Sequence, residues 1–335
     1  GAPSDGETLC RAGTTISGCT AGGAATVTVS SSTATLGASD TLVEVTASAA
    51  NITLASASGA STSQQVTIHC ARSRACLIQL TRAGSDTIDA ATSRAGLVRP
   101  GASVLVFRTS SSAWTSTLNI DPRPAMSYFE WRPDAASGNL SNVASGWTQA
   151  GTAGSSVLGG RLYGTESRSG VTTATGWTLG PKFFHSDSRM AFTVEWYCDA
   201  PLSAGHRTMG GEVDGLYSGA RSGWSGKGMV VQYESGDTNW QVIVRDSANS
   251  VHDTGAPVAA GHWRWLVYRD GSTVRWISYY SATDATFAGV SPVVGSATPS
   301  AWPSATTLQA QYYSAAASAW AGTLGVAGTA IGEML

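Results

Sequence analysis

Short runs in which apolar and polar residues alternate follow one another through the first part of the chain. They are centred on residues such as Val27, Val43, Ile68 and Val104, with Ser, Ala and Gly between them. Alternation with a period of two places every second side chain on one face, which is typical of a strand with one buried face. The pattern therefore predicts a small β module over residues 25–120.

Longer alternating runs in the second part of the chain predict a larger β fold. Phe192, Val194 and Trp196 occupy every second position, and residues 262–269 alternate in the same way. The Asp270-Gly271 pair that follows is a strong signal for a hairpin turn, because Gly accepts a positive φ. No segment keeps a helical period for more than about two turns. Several strands joined by Gly-rich turns are typical of a β-sandwich, so the predicted fold class is all-β.

The bulky aromatic residues are distributed unevenly, and their distribution marks a domain boundary. One Trp and one Phe precede residue 128, whereas eleven Trp and all ten Tyr come at or after it. Prolines at Pro122, Pro124 and Pro133 fix extended backbone between the two parts. The predicted organisation is an irregular N-terminal arm over residues 1–24, a β module over 25–120, a connector over 121–135 and a β-sandwich over 136–335.

Small side chains in the first β module limit the apolar area that its strands can bury. At about 25 cal/mol per Å² of buried apolar surface, such strands stabilise a layer only weakly. Identical chains that share one core would remove this weakness. The sequence therefore predicts a homotrimer.

Charge and composition exclude several classes of function. Charged residues make up 13% of the chain and the net charge is −2, so a surface that neutralises nucleic-acid phosphates is not expected. No polybasic segment or run of about 20 apolar residues indicates membrane insertion, and no signal peptide is expected. The sequence also lacks the motifs of a phosphate-binding glycine loop and of a catalytic serine elbow. No cofactor is expected.

The five cysteines leave at least one thiol without a partner in the chain, because their number is odd. Cys10 could close a short loop with Cys19, and Cys70 could meet Cys76 across the tip of a hairpin. Free thiols are slightly favoured over disulfides when the redox compartment is unknown. No spacing of Cys or His is typical of a metal site, so no metal is expected.

Five segments of the first part carry motifs in a recognisable order: residues 66–68, 77–81, 84–89, 100–106 and 112–114. They form a strand pair, then Gly-Ser-Asp-Thr-Ile-Asp, then Pro-Gly-Ala-Ser-Val and a final Trp. This order resembles β modules of bacteriophage tail fibres, tail spikes and head fibres. The sequence departs from those modules at Cys70 and Cys76, and at Ala90, where the family often has Gly. The resemblance implies that the N-terminal region attaches to other virion proteins.

The second part of the chain contains Trp-Arg-Trp-Leu-Val-Tyr-Arg-Asp-Gly at residues 263–271, with further strand motifs at 192–197, 207–211 and 324–328. These segments resemble concanavalin A-like and laminin G-like jelly rolls, and the hairpin at 261–276 is the clearest match. Such sandwiches are common on virion fibres and commonly bind glycans. The resemblance therefore implies a lectin-like domain, although a fold alone does not establish a function.

Glu212 and Asp214 are the acidic pair that could act on a sugar. Residues i and i+2 of a strand face the same way, and glycoside hydrolysis needs two carboxyl groups across the scissile bond. The pair is similar to the start of the acidic motif of family 16 endoglucanases, but the third acid of that motif is missing from this sequence. A polar turn, a glycan or cation contact and catalysis are the alternatives, and no catalytic residue is assigned. Glu195, in the middle of a strand, is expected to face an Arg.

Aromatic residues in loops are the other candidates for binding a sugar. Trp224 lies in a Gly- and Ser-rich loop near Tyr217 and Arg221, and Trp302 lies near another predicted turn. Such a ring can present a flat, partly exposed face on which sugars stack, or it can fold back onto the sandwich. Five other tryptophans occupy strand positions that are typical of core residues: Trp196, Trp240, Trp263, Trp265 and Trp276. The predicted carbohydrate-binding residues are Glu212, Asp214, Tyr217, Arg221, Trp224 and Trp302.

These observations predict a receptor-binding fibre or spike protein of a phage or a phage-like particle. It would be assembled in the host cytoplasm, lie on the virion surface and attach the particle to host surface polysaccharide. Several weak sites held together on a trimer would bind with high avidity. Two alternatives stay open, a capsid decoration protein that contacts only other virion proteins and a capsule-degrading glycoside hydrolase. The protein is not expected to be an enzyme.

Overall fold

The computed structural model of the chain consists almost entirely of β-strands. Its described residues are 10–12, 15–17, 25–131, 152–158, 161–171, 175–185, 189–199, 207–214, 221–224, 226–234, 236–304, 306–315 and 320–335. Within these ranges the helical elements are two short 3-10 turns, Arg123–Ala125 and Arg221–Gly223. The all-β fold class predicted from the alternating pattern is confirmed.

The chain divides into two compact units. The first contains the chain up to Ala125 with Ala288–Pro292 and Leu335, and the second contains Met126–Phe287 and Val293–Met334. The division falls inside residues 121–135, where the sequence predicts a connector. Residues 126–131 differ from that expectation, because they form a strand that pairs with the last strand of the second unit.

The first unit is built from two sheets. Its described strands are β1 (Cys10–Ala12), β2 (Thr15–Ser17), β3 (Ala25–Val29), β4 (Thr33–Thr35), β5 (Asp40–Val45), β6 (Ala49–Thr53), β7 (Gln65–Cys70), β8 (Cys76–Thr81), β9 (Thr87–Ile88), β10 (Ser93–Val98), β11 (Ser103–Ser110) and β12 (Ala113–Ser116). One sheet has the order β2-β1-β3-β5-β7-β11-β12-β9, and the other has the order β10-β8-β6-β4.

Strands β3 to β8 alternate between the two sheets and form a short parallel solenoid. β3, β5 and β7 pair in parallel in one sheet, and β4, β6 and β8 do so in the other. Each turn of the chain therefore adds one strand to each sheet. Strands β10 and β11 pair antiparallel with β8 and β7. A period of two predicts strands but says nothing about which strands pair, so the parallel order could not be read from the sequence.

The register of the parallel strands aligns apolar side chains inside the first unit. Val43 pairs with Val27 on one side and with Ile68 on the other, and Ile52 pairs with Leu80 in the second sheet. All five are buried in one cluster to which both sheets contribute. A core therefore forms within one chain, which differs from the expectation that these strands need further copies to complete one. The homotrimer itself stays a prediction.

A disulfide bond joins Cys70, the last residue of β7, to Cys76, the first residue of β8. The expectation that free thiols are favoured is wrong for this pair. The residues between them are also not a hairpin tip, because β7 and β8 belong to different sheets. Cys198 is a free, buried thiol, and burial raises its pKa to about 11. Cys19, with which Cys10 could close a short loop, lies outside the described residues.

The Gly-Ser-Asp-Thr-Ile-Asp motif of the first unit holds local backbone in place. The carboxylate of Asp86 accepts a hydrogen bond of 2.7 Å from the backbone N of Ala57. The carboxylate of Asp89 accepts bonds of 2.9 and 2.6 Å from the backbone N and the hydroxyl of Ser116. Asp89 and Ala90 have φ values of 50° and 65°, which is typical of the two central residues of a type I′ turn.

The second unit is a β-sandwich. Its described strands are β13 (Met126–Trp131), β14 (Thr152–Leu158), β15 (Arg161–Val171), β16 (Thr175–His185), β17 (Met190–Cys198), β18 (Arg207–Val213), β19 (Gly228–Tyr233), β20 (Asn239–Arg245), β21 (Asn249–Pro257), β22 (Gly261–Asp270), β23 (Thr273–Ser281), β24 (Val293–Ala297), β25 (Thr306–Ala315) and β26 (Trp320–Met334). One sheet has the order β14-β15-β26-β17-β22-β23-β24, with β13 also on β26, and the other has the order β16-β25-β18-β19-β20-β21.

Indole rings fill the space between the two sheets of the sandwich. The predicted core positions are confirmed, since all five tryptophans are buried in one cluster: Trp196, Trp240, Trp263, Trp265 and Trp276. The predicted hairpin is also confirmed, with Asp270 opposite Thr273 and Gly271 at a φ of 64°. Strands β19 and β20 contribute to the same cluster.

We expect Ala90→Gly to stabilise the first unit. A residue with a Cβ is strained at a positive φ, and Gly removes that strain. The relief exceeds the entropy that Gly adds to the unfolded chain, so the free energy of unfolding should rise by up to about 1 kcal/mol. Urea denaturation, monitored through a signal from the first unit, measures the change in the free energy of unfolding. Ala47→Gly is the matched control, since Ala47 is in a bend but has no positive φ. An Ala90→Gly protein no more stable than this control would contradict the turn assignment.

Candidate functional site

The connection between β18 and β19 brings Asp214 against Lys227. The backbone N of Asp214 donates to the carbonyl of Lys227 at 3.0 Å, and the backbone N of Lys227 donates to Oδ1 of Asp214 at 2.8 Å. Gly226 allows this closure, because a Cβ there would lie 2.6 Å from Oδ1 of Asp214 and 3.0 Å from Nε1 of Trp224. Asp214 and Trp224, both predicted from sequence, are therefore neighbours on either side of Gly226.

Lys227 links this connection to Asp246, just after β20, and to Ser304. Its ammonium lies 3.0 Å from Oδ1 of Asp246 and donates to the hydroxyl of Ser304 at 2.5 Å. The same Oδ1 accepts bonds of 3.0 and 3.1 Å from the backbone N and hydroxyl of Ser304. The backbone bond from Ser304, and then the bond from Lys227, lower the pKa of Asp246. The side chains of Lys227 and Asp246 keep 35% and 25% of their surface exposed.

Trp302 lies two residues before Ser304 and is half-buried. It packs against the edge of the sandwich core, and its Nε1 donates to the carbonyl of Ser272 at 3.4 Å. The guanidinium of Arg269 lies 4.5 Å from its ring centre, which is within range of a cation–π contact. We use the name Asp246 surface for Asp214, Lys227, Asp246, Trp302 and Ser304.

Arg221 is held by the protein itself. Its guanidinium donates to Gln232 at 3.3 Å and to Asp237 at 2.5 Å, and its carbonyl accepts a bond of 2.7 Å from Asn249. These contacts fold the turn Arg221–Gly223 back onto the sheet. Trp224, directly after this turn, is only 4% exposed. The flat, partly exposed face considered for Trp224 is therefore absent, and the alternative in which it folds back onto the sandwich describes the structure.

Glu212 and Tyr217 are the other two predicted residues. Glu212 pairs in register with Met229 and Ala310 near the end of β18, and its side chain is outside the described part of the structure. Tyr217 also lies outside the described residues. The structure adds three residues that the sequence analysis missed: Lys227, Asp246 and Ser304. No local motif marks them, because the chain brings them together from three separate segments; the rarity of Lys, two residues against eighteen Arg, was the one available signal.

A second polar cluster lies on β15, β17 and β22, on the face of the sheet that points away from the indole rings. Glu195 is buried between Arg161 at 2.7 Å and Arg264 at 2.9 Å, so the expectation that Glu195 faces an Arg is confirmed. The guanidinium of Arg264 also lies 4.9 Å from the ring centre of Phe287. A buried carboxylate needs such partners, so we assign this cluster a structural role.

Tyr163 and His262 form a buried pair beside Glu195. The hydroxyl of Tyr163 lies 2.9 Å from Nδ1 of His262, and the ring of Tyr197 lies 4.7 Å from the imidazole. Burial raises the pKa of Tyr163 strongly. Burial lowers the pKa of His262, and the nearby carboxylate of Asp284 opposes this only in part.

No group of three or more His, Cys, Asp and Glu side chains among the described residues could hold a metal ion. None of the helices described in the structure has the length and apolar character needed to cross a membrane.

Comparison with known proteins gives matches among solved structures only. No protein-family profile and no curated protein matches the chain. The lectin UEA-II complexed with galactose is similar over 62% of this chain and 99% of its own, at 10% identity and a TM-score of 0.43. The winged bean acidic lectin complexed with methyl-α-D-galactose matches over 62% and 98%, at 8% identity and a TM-score of 0.41. A protein of unknown function from Shewanella oneidensis MR-1 matches over 62% and 86%, at 15% identity and a TM-score of 0.39. Similarities at this level concern the fold and carry no information on what this chain binds.

We expect the second unit to lose stability as the pH falls below about 6.5, where the imidazole of an unfolded chain titrates. The pKa of His262 is lower in the folded state, so the unfolded chain binds more protons in this range and the free energy of unfolding falls with pH. Tryptophan fluorescence during urea denaturation from pH 7.5 to pH 5 measures the slope.

The variant His262→Gln should flatten part of that slope. A remainder is expected from His252, whose pKa is also lowered by burial. His69→Gln, in the first unit, is the control and should leave the fluorescence profile of the second unit unchanged. Identical slopes for the wild type and His262→Gln would contradict this assignment.

Proposed function

We propose that the second unit binds carbohydrate at the Asp246 surface. The observation that carries the proposal is a carboxylate, an ammonium and a hydroxyl held within hydrogen-bond distance of one another and partly exposed, two residues from a half-buried Trp. Sugar hydroxyls both donate and accept hydrogen bonds, and the apolar face of a sugar ring packs on an aromatic ring. A few fixed polar groups beside an apolar contact are typical of small-molecule sites.

The polar groups of this surface are held in position before any ligand arrives. Asp246 accepts bonds from Lys227 and Ser304, and these bonds favour its ionised form. An ionised carboxylate has further lone pairs that can accept bonds from sugar hydroxyls. Asp214 fixes the backbone of Lys227, and Asp246 and Ser304 hold its ammonium. Such preorganisation reduces the entropy that binding would otherwise cost.

The wider role that we propose is that of a receptor-binding fibre or spike protein on a virion. Support comes from the motif order of the first unit, which resembles phage fibre modules, and from a separate second unit that carries the polar surface. In this role the N-terminal region attaches to other virion proteins and the second unit contacts host polysaccharide. A capsid decoration protein without a glycan ligand is the main alternative.

We propose binding without catalysis. A glycoside hydrolase needs a general acid whose pKa is raised. Asp246 has a lowered pKa, which is the opposite of that requirement. The carboxylate of Asp214 is engaged by the backbone N of Lys227, which is a structural use of this group.

We expect Lys227→Met to weaken polysaccharide binding at least about tenfold, because it removes a charged hydrogen bond. We expect a similar loss for Trp302→Ala, because it removes the apolar contact that the exposed part of the indole offers. A glycan array probed with the full chain identifies the ligand, and calorimetry measures the loss. Arg94→Met, which removes a cation paired with Asp89 in the first unit, is the matched control. Silence across host polysaccharides would favour the decoration protein. Release of reducing ends that is lost in Glu212→Gln or Asp214→Asn would instead favour the hydrolase.

We also expect the intact chain to sediment as a homotrimer at micromolar concentration. The fibre role needs several copies of a weak site held together, because avidity grows with the effective concentration of linked sites. Analytical ultracentrifugation measures the mass directly. A monomer of 34.3 kDa would contradict the trimer, while leaving carbohydrate binding by a single chain to be judged by the array.

A further inference from the structure

The interior of the sandwich contains polar atoms that lack protein partners. The indole nitrogens of Trp240, Trp265 and Trp276 and the hydroxyl of Ser278 are buried and have no hydrogen-bond partner in the part of the chain that the structure describes. Trp265 is 0% exposed and Ser278 is 2% exposed. Buried polar groups are nearly always satisfied, and an exception needs a specific explanation.

These four residues are neighbours. Trp265 of β22 and Ser278 of β23 stand directly opposite each other in the ladder, so their side chains lie on the same face with Cβ atoms about 5 Å apart. Trp276 is two residues before Ser278 and therefore shares that face. Trp240 belongs to the other sheet, and its ring centre lies 6.3 Å from that of Trp265. The side chains of Trp240, Trp265 and Ser278 thus come from one region between the sheets, whereas Nε1 of Trp276 lies beside Gly295 of β24.

The hydroxyl of Ser278 is buried among apolar side chains, which is unfavourable unless it has a hydrogen-bond partner. The surrounding layer consists of large apolar side chains such as Phe192, Trp265 and Val267. A serine at this position fills less volume than any of them, and its hydroxyl has no hydrogen-bond partner among the described residues. A water molecule that bridged it to Trp265 would need room and two to four polar partners.

We propose that the core of the second unit holds at least one ordered water molecule, bound between Nε1 of Trp265 and the hydroxyl of Ser278. The water accepts from the indole N–H and exchanges a hydrogen bond with the hydroxyl. Trp240, whose ring adjoins that of Trp265, supplies a further donor from the same region. The rings of Trp240 and Trp265 meet edge to face at 66°, so the N–H of Trp240 has an aromatic face as an alternative acceptor. The proposal therefore rests on the Trp265–Ser278 pair.

Coupling between the two groups tests the proposal. Trp265→Phe, Ser278→Ala and the double variant are compared by urea denaturation of the full chain. A shared water makes Ser278→Ala lower the folding equilibrium constant by about tenfold, the ordinary effect of losing a hydrogen bond. The double variant then loses less than the product of the two single losses. Trp263→Phe is the matched control, because its Nε1 donates at 3.1 Å to the carbonyl of Ala259; Ser278→Ala combined with it should be additive.

If the hydroxyl of Ser278 binds no water, its deletion removes an unsatisfied polar group. Ser278→Ala is then neutral or stabilising, and this result would overturn the proposal. If Trp265→Phe fails to fold, a crystal structure of the wild-type chain decides the question. Electron density within about 3.2 Å of both Nε1 of Trp265 and Oγ of Ser278 supports the proposal, and a well-ordered pair without such density rejects it.

Discussion

The packing of indole rings between two sheets is the interaction on which the second unit depends. Trp196 lies 4.9 Å from Trp240 in the facing sheet, and Trp263 stacks on Trp265 at 5.9 Å. Aromatic contacts of this kind are specific in distance and angle as well as strongly apolar. They hold the two sheets together, and strands β19 and β20 contribute to the same core. Gly228 of β19 stands opposite Arg245 of β20, so Lys227 and Asp246, which flank these residues, come together at one end of the pair.

Much of the fold could be predicted because burial leaves a direct trace in the sequence. Alternating apolar residues located the β22–β23 hairpin and the core tryptophans, since a strand with one buried face must alternate. The pairing order of β3 to β8 left no such trace, because parallel and antiparallel strands with one buried face alternate in the same way. The core of the first unit was underestimated because its side chains are small. Val43 and Val45 are nevertheless fully buried in one cluster to which both sheets contribute.

The site was less predictable than the fold, because its residues come from separate segments. Asp214 and Trp302 were found by residue type and by their place near turns. Lys227, Asp246 and Ser304 meet only after β18, β19 and β20 have paired and the segment before β25 has reached Asp246. Trp224 shows the opposite case. Its loop looks exposed in sequence, but ion pairs of Arg221 with Asp237 and Glu234 hold the preceding turn against the sheet.

The solenoid of the first unit has a bearing on evolution. Because every turn of the solenoid contributes one strand to each sheet, duplication or loss of a whole turn would lengthen or shorten the module by about 4.8 Å and leave the packing between the sheets intact. Such a change would leave the sequence of the second unit, which is encoded further along the gene, unaltered. The disulfide bond between Cys70 and Cys76 joins the two sheets covalently in the turn next to the antiparallel strands β10 and β11.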